Sequence, residues 1–284
     1  MLGAATQAPS PVPPSPQQAP GHGDQPQYGS FGQQAASIQA LTSVGSDLIY
    51  AGSFGLGLFR SEDRGVSWAK SGQGVTDPFI LTLTTGKDGA IYAGTFRGGV
   101  FRSRDQGKSW QAINNGLKRL EIKALLAVSD GVYAGTSDGV YRLAADRWSV
   151  VTTGLDDILV HALALSSDGT LFAGTSGKGI LRFKAQSTGW VRQQHGLKDH
   201  EGMTESFIRV LTIDPEGGIY AGTFDGGVFS SADGGTTWRP ISRALPNDSI
   251  RGFCSTAGGF LWRRGTVFSK PSTRGVNGCR SIRG

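Results

Sequence analysis

The clearest pattern along the chain is a short apolar phrase that returns at regular intervals. The phrase consists of two apolar or aromatic residues, then Ala-Gly, then Ser or Thr. It occurs at 49–53, 91–95, 132–136, 171–175 and 219–223, and a weaker sixth copy lies at 261–266. The aromatic residues of successive copies are 42, 41, 39, 48 and 42 residues apart. A period near 40 built from strand-length segments is typical of a repeat whose unit is a four-stranded sheet.

Each repeat also divides into four strand-length segments. In the second repeat these are 80–83, 91–95, 100–103 and 110–113, with turn residues such as Gly98-Gly99 between them. One such sheet cannot cover both of its own faces, whereas sheets stacked around a ring cover each other. We therefore predict an all-β protein, a β-propeller of about six four-stranded antiparallel blades in which the last blade is degenerate.

Composition divides the chain into three regions. Residues 1–36 are rich in Pro and Gln and have too little apolar surface to offset their ordering entropy, which predicts a disordered tether. Residues 37–249 contain five clear blades. In residues 250–284 the pattern decays, since Arg251-Gly252-Phe253 stands where an apolar inner strand belongs. This last region is either a degenerate sixth blade or an aberrant basic tail from a slipped reading frame, and it leaves ring closure open.

The formal charge of +6 is concentrated at the end of the chain. Seven cations and no acid occur in residues 250–284, and Asp24 is the single charged residue of the first 36. The body of the chain is therefore close to neutral and has no basic excess to attract phosphates, which argues against a nucleic-acid partner.

Two features near the ends leave alternatives open. Cys254 and Cys279 either pair with each other or remain free thiols. Residues 1–8 resemble the small-residue end of a secretory signal, or they are an ordinary disordered start. The first alternative predicts a periplasmic or secreted protein. No apolar run is long enough to span a membrane, and the oligomeric state stays open.

The strongest local motif is Ser-x-Asp-x-Gly-x-x-Trp, which occurs three times in register with the repeat. Its residues are Ser61, Asp63, Gly65 and Trp68; Ser103, Asp105, Gly107 and Trp110; and Ser231, Asp233, Gly235 and Trp238. The Asp carboxylate can accept backbone N–H bonds inside a turn, and Gly permits positive φ there. We expect the Trp to pack between neighbouring blades.

This motif resembles the Asp-box, or BNR, propeller family, and the resemblance covers about 38–250. That family includes sialidases, sortilin-type receptors, xyloglucan hydrolases and photosystem II assembly and stability factors. The resemblance implies that the boxes are structural and lie away from any active site. It is specific for the fold rather than for function.

The residues favour a protein without catalytic function. A sialidase needs a unique nucleophilic Tyr, but five of the six tyrosines occupy repeat positions and the sixth, Tyr28, lies in the tether. The Phe-Arg-Ile-Pro signature of many sialidases is absent. The four histidines have no ligand-like spacing, and no phosphate-binding loop occurs, so we predict no metal site and no cofactor.

Candidate binding residues come from the loops expected on one face. In a propeller, the link from an outer strand to the next inner strand lies on the face that usually binds ligands. The 48-residue interval adds residues within 197–206, either as a functional insertion or as a tolerated surface excursion. The predicted ligand-binding residues are Arg97, Asp138, Lys178, His200, Glu201, Glu205 and Asp225, with His161 nearby. Their mixed charge favours a polar or peptide ligand.

A cation also occupies the same third-strand position in four repeats, at Arg60, Arg102, Arg142 and Arg182, and it follows an aromatic residue in the first three and Leu181 in the fourth. These guanidiniums either form a ring that receives a carboxylate, as an arginine patch is thought to do in photosystem II factors, or pair with neighbouring blade residues. The second interpretation is favoured, because repeated positions usually reflect blade architecture.

Three functions are consistent with these patterns. The leading hypothesis is non-catalytic recognition of a protein or peptide. The first alternative is a secreted glycan-binding or glycoside hydrolase protein of the sialidase type, in which carboxylates would converge in a central pocket and one would have a raised pKa. The second is a ligand-sensing module of a two-component receptor, suggested by 160–163 leading to 168–171.

Overall fold

The computed structural model describes residues 37–193, 195–198, 206–241, 249–256, 259–264 and 267–269. The predicted tether, Cys279, and the predicted site residues His200, Glu201 and Glu205 lie outside these ranges. All regular structure in the described part is β-strand. No helix there has the length and apolar character needed to cross a membrane.

The strands form six consecutive sheets, which we number as blades. Blade 1 contains β1 (Ile38–Val44), β2 (Leu48–Ser53), β3 (Gly57–Ser61) and β4 (Ala69–Lys70). Blade 2 contains β5 (Ile80–Thr85), β6 (Ile91–Thr95), β7 (Val100–Ser103) and β8 (Gln111–Ala112). Blade 3 contains β9 (Ala124–Val128), β10 (Gly131–Thr136), β11 (Gly139–Ala144) and β12 (Arg147–Val150).

The remaining strands follow the same order. Blade 4 contains β13 (Val160–Leu165), β14 (Leu171–Thr175), β15 (Ile180–Phe183) and β16 (Val191–Gln193). Blade 5 contains β17 (Ile208–Ile213), β18 (Ile219–Thr223), β19 (Val228–Ser231) and β20 (Arg239–Pro240). Blade 6 contains β21 (Ile250–Thr256), β22 (Gly259–Arg264) and β23 (Val267–Ser269).

Every blade is an antiparallel meander in which each strand pairs with the next along the chain. Five blades have four strands, and the sixth has three in the described part. The predicted fold of four-stranded antiparallel blades with a degenerate last blade is confirmed. The domain boundaries at 36 and 249 remain predictions.

Glycine in the repeated phrase lets the inner strands of adjacent blades approach closely. A Cβ atom on Gly52 would lie 2.4 Å from Cγ2 of Ile80, the first residue of the next inner strand. The same relation holds between Gly222 and Ile250, where the distance would be 2.5 Å. Any larger residue would push the two sheets apart, so the packing of adjacent blades explains why glycine recurs in the Ala-Gly step.

The two ends of the blade series differ from its middle. The inner strands pack in sequence from β1 to β21, but in the part of the chain that the structure describes no comparable packing joins β21 to β1. Leu41 of β1 is 52% exposed, whereas its counterpart Leu83 in β5 is 8% exposed. Within the described residues, the face of blade 1 that contains Leu41 therefore has no neighbouring blade packed on it.

The Ser-x-Asp-x-Gly-x-x-Trp segments form tight hairpins held by their own side chains. The Ser61 hydroxyl donates to the Asp63 carboxylate at 2.7 Å and accepts a bond from the Gly65 N–H at 2.7 Å. The N–H of Ser67 donates to Asp63 at 2.8 Å, and Gly65 has a φ of 89°. The hairpins at 103–110 and 231–238 repeat these bonds.

These bonds lower the pKa of the three hairpin carboxyls. Bonds from the Ser67 hydroxyl and N–H lower the pKa of Asp63 to about 2, and Ser109 has the same effect on Asp105. Thr237 lowers the pKa of Asp233 further.

We expect the hairpin carboxylates to make the protein acid-sensitive. Because folding lowers their pKa, the stabilisation is fully present above about pH 4, the unfolded value, and is lost as the pH falls toward 2. Thermal unfolding of Asp105→Asn should show a smaller decrease in melting temperature between pH 5 and pH 2 than the wild type. Asp225→Asn, in an exposed turn, should follow the wild type. Equal pH dependence in all three proteins would contradict this account.

Tryptophan residues connect blades 1 to 3 in order. The N–H of Trp110 in blade 2 donates to the Gln73 carbonyl of blade 1 at 2.9 Å, and its indole N–H donates to the Ser71 carbonyl at 2.5 Å. Trp148 makes the equivalent bonds to the exit turn of blade 2. Trp68 differs from the expectation, since it is half-buried and its indole N–H donates within its own hairpin to Gly65. The described structure places no blade before it.

Candidate functional site

The blades present two ends that differ in their connections. At one end the second strand turns into the third, and the fourth strand leads to the first strand of the next blade; we call this end the link face. The opposite end, the hairpin face, has the turns between first and second strands and between third and fourth strands. The predicted residues Arg97, Asp138, Lys178 and Asp225 all lie in second-to-third strand turns and therefore on the link face.

An irregularity places one extra side chain at the link-face end of the inner strands. The register of the first two strands shifts between Ile208 and Val210, so that Arg209 falls outside the regular pairing. The same shift occurs in blades 1, 2, 4 and 6, at Gln39, Leu81, His161 and Arg251. Lys123 follows Ile122 at the corresponding place in blade 3. Bulges of this kind redirect a side chain and are common beside functional sites.

Four of these six positions are basic, and they lie near each other around the axis. We call Lys123, Arg209 and Arg251 the axial cations. The charges of Lys123 and Arg209 both act on the His161 ring between them, and the charge of Arg251 acts on Arg209. Sequence positions about 40 residues apart thus meet at the link-face end of the inner strands.

Burial controls the protonation of this group. Desolvation is the main cause that lowers the pKa of His161 to about 4, and the neighbouring Lys123 and Arg209 add to it, so the ring is neutral at neutral pH. The Nε2 atom of His161 lies 2.8 Å from the Ser176 hydroxyl. Burial also lowers the pKa of the half-buried Arg209, with Arg251 as the second cause.

Phenylalanine side chains flank the axial cations in two clusters. The first cluster contains Phe54, Phe79 and Phe96, with ring centroids 4.8 Å apart for Phe54–Phe79 and 6.3 Å apart for Phe54–Phe96. The second contains Phe207 and Phe224, with centroids 5.3 Å apart, and the His161 ring lies 4.9 Å from Phe207. Phe54 and Phe224 are 46% and 49% exposed.

Cations lie over both aromatic clusters. The Arg97 guanidinium carbon is 5.2 Å from the Phe96 ring centroid, and the Arg209 carbon is 5.2 Å from that of Phe224. Lys123 Nζ is 5.6 Å from the Phe96 centroid and pairs with Glu121 at 2.9 Å. Among the described residues, no acid forms an ion pair with Arg97, Arg209 or Arg251. The link face therefore offers unpaired positive charge beside exposed aromatic surface.

The other predicted site residues contribute less to this arrangement. Asp138 accepts a hydrogen bond from the Tyr141 hydroxyl at 2.9 Å, and burial together with this bond raises the pKa of Tyr141 to about 12. Lys178 and Asp225 are exposed. Sequence reasoning missed Lys123, Arg209, Arg251 and the phenylalanines as site residues. The signal for Arg209 and Arg251 is a charged residue directly after the first residue of an inner strand, whereas Lys123 stands directly before one.

The hairpin face contains a separate cavity of about 780 Å³ that is lined by residues of blades 3, 4 and 5 and by Lys87 of blade 2. Two carboxylates on its wall accept hydrogen bonds from tyrosine hydroxyls. Tyr133 donates to Asp130 at 2.8 Å, and Tyr220 donates to Asp214 at 3.0 Å. Every described carboxyl whose pKa departs from its ordinary value is shifted downward. No group of acids, histidines and cysteines in the described ranges has the geometry of a metal site.

The repeated third-strand arginines mostly pair with acids. Arg60 pairs with Glu62 of its own blade, and the buried Arg102 pairs with Asp146 of the next blade. Arg142 lies 3.6 Å from Asp130. This favours the interpretation that they belong to the blade architecture.

Comparison with known proteins gives the fold. No protein-family model matches the chain, and no curated protein matches it. Solved structures do. The extracellular domain of the hybrid two-component system BT3049 from B. thetaiotaomicron superposes with a TM-score of 0.69 at 18% identity, covering 82% of this chain and 32% of that one.

Two further structures resemble the chain over most of its length. YCF48 bound to D1 peptide gives a TM-score of 0.62 at 15% identity and covers 81% of this chain and 76% of that chain. The GH74 xyloglucanase from Xanthomonas campestris gives 0.59 at 18% identity, with coverage of 73% and 38%. The chain is a β-propeller. These identities establish the fold alone.

The propeller spans about a third of the length of the BT3049 domain that it matches. The link face, with its axial cations and two aromatic clusters, is the candidate functional site of this propeller. The hairpins with lowered carboxyl pKa lie at the opposite face.

Proposed function

We propose that this propeller is a non-catalytic binding protein whose link face takes up a peptide segment of a protein partner. The observation that carries the proposal is that Arg209 and Arg251, which form no ion pair with a described acid, lie on the same face as the exposed phenylalanines. A peptide offers both complements, since carboxylates pair with guanidiniums and apolar side chains fill aromatic clefts. The bound peptide in the YCF48 structure supports the proposal as an analogy between folds.

The chemistry of the carboxyls supports binding over hydrolysis. A glycosidase needs one carboxyl with a raised pKa to act as general acid. The carboxyls of Asp63 and Asp105 instead have lowered pKa values. The two carboxyls on the wall of the larger cavity, Asp130 and Asp214, accept hydrogen bonds from tyrosines. Glycan binding by the same aromatic surface is the alternative, since the fold also occurs in GH74 enzymes.

We also propose that the protein acts outside the cytoplasm. The small residues of 1–8 support this proposal, as does the occurrence of the same fold in an extracellular receptor domain.

A peptide-selection experiment tests the proposed function. We expect a displayed library of random peptides with free C-termini to yield ligands for the wild-type chain. Arg209→Ala and Phe224→Ala should each weaken binding of a selected peptide by about tenfold or more, as expected for central interface residues. Lys87→Ala on the hairpin face serves as the matched control and should bind like the wild type. A library without enrichment, or equal binding by all variants, would refute the proposal.

A further inference from the structure

A second cationic site lies between the outer parts of blades 1 and 2. A crevice of about 360 Å³, which we call the rim crevice, is lined by Arg60, Trp68, Lys70 and Ser71 of blade 1 and by Lys108 of blade 2. Its lining contains three cations and one acid, Glu62. The crevice is formed by β3, β4 and the hairpin that follows β7, so it is separate from the axial cations at the link face.

At the interface between blades 2 and 3, the charge of the equivalent third-strand arginine is neutralised by an acid of the next blade. Arg102 is the third-strand arginine of blade 2, and its side chain is 9% exposed. The turn before β12 brings Asp146 of blade 3 onto the Arg102 guanidinium. This pair raises the pKa of Arg102 and lowers that of Asp146. The following blade thus supplies the anion that the buried arginine requires.

The rim crevice lacks this partner. Arg60 is the third-strand arginine of blade 1, its side chain is 17% exposed, and its guanidinium bonds to Glu62 on the same blade. The Nε atom of Arg60 is buried and has no hydrogen-bond partner in the described structure. Where blade 3 supplies Asp146, blade 2 contributes Lys108 to the lining. A buried donor without a partner, in a crevice whose lining has two further cations and a single acid, favours the binding of an anion.

We propose that the rim crevice binds a tetrahedral oxyanion, a phosphate or sulfate group, in the place that Asp146 takes at the next interface. The anion would accept bonds from the Arg60 guanidinium and from the ammonium groups of Lys70 and Lys108. The Ser71 hydroxyl already donates to the Gly107 carbonyl at 2.7 Å. Such a group on a partner molecule would bind at the rim, independently of a peptide at the link face. The inference therefore does not depend on the proposed function.

Charge reversal at Lys108 tests this inference sharply. Lys108→Asp supplies an acid like Asp146, so we expect it to abolish phosphate binding and to raise the melting temperature in the absence of phosphate. For the wild type, inorganic phosphate at tenfold its dissociation constant should raise the melting temperature by about 3 °C or more at constant ionic strength, relative to chloride. Lys87→Asp has the same charge change in the same blade and should respond to phosphate like the wild type.

A second variant and further ligands complete the experiment. Arg60→Gln removes the unpartnered N–H, and the folded protein should lose at least tenfold in phosphate affinity. Sulfate, phosphoserine and a sulfated monosaccharide as separate ligands distinguish the sources of the oxyanion, whereas acetate should have a smaller effect. A wild-type response no larger than that to chloride would overturn the inference. An undiminished phosphate response in Lys108→Asp or Arg60→Gln would overturn it too.

Discussion

Replacing Trp110 with alanine should lower the free energy of unfolding by about 4 kcal/mol, and the same change at Trp68 by about 1 kcal/mol. Both residues end the same sequence motif, but Trp110 is 5% exposed and bonds across to blade 1. Its loss leaves a cavity between blades and an unpaired Ser71 carbonyl. Trp68 is half-buried and bonds within its own hairpin, so its truncation removes little packing.

Urea unfolding followed by fluorescence and circular dichroism measures this difference. Each variant is the other's control, because motif, residue type and expected hairpin geometry are matched. Equal losses at the two positions would show that the tryptophans act within their hairpins, and the account of blade-to-blade bonding would fail.

The second large effect is expected at Gly116, which packs against the backbone carbonyl of Trp148 in the next blade. Gly116 has a φ of 96°, and a Cβ atom there would lie 2.1 Å from the Trp148 carbonyl oxygen. Gly116→Ala combines left-handed strain with overlap against backbone, so we expect a loss of about 3–4 kcal/mol. Gly154 has nearly the same φ, 97°, but no atom within 4 Å of the added Cβ. Gly154→Ala should cost about 1 kcal/mol.

Thermal and urea unfolding of the two alanine variants separate strain from contact. If both variants lose the same free energy, the φ value alone explains the cost. In that case, the close approach of blade 3 to the exit turn of blade 2 has no energetic role.

The fold could be predicted because its determinants repeat in the sequence. The Ala-Gly step is visible in five copies, and the structure gives its cause in the contact between Gly52 and Ile80 of the next blade. The sixth blade was correctly expected to be degenerate, since its inner strand contains Arg251 and Gly252. Ring closure could not be predicted, because it depends on how the first and last blades meet.

The candidate site was only partly predictable. The position of Arg97 and Asp225 on the link face could be predicted, because turns on one face can be read from the repeat. Arg209 was missed because it interrupts an inner strand by one residue, and only a bulge directs its side chain to the link face. Lys123 was missed because it lies directly before the inner strand of its blade, outside the repeated phrase. The rim crevice was invisible for another reason. Its distinguishing feature is that blade 2 supplies no acid to Arg60 in the way that blade 3 supplies Asp146 to Arg102, and a missing contact has no sequence pattern.

The most direct test of the central claim is nuclear magnetic resonance with isotope-labelled histidine and phenylalanine side chains. Adding a selected peptide should shift the signals of His161, Phe54 and Phe224 and leave Phe172 and Phe183 unchanged. Shifts confined to the hairpin-face cavity, where Phe183 lies, would contradict the assignment of the link face as the binding surface.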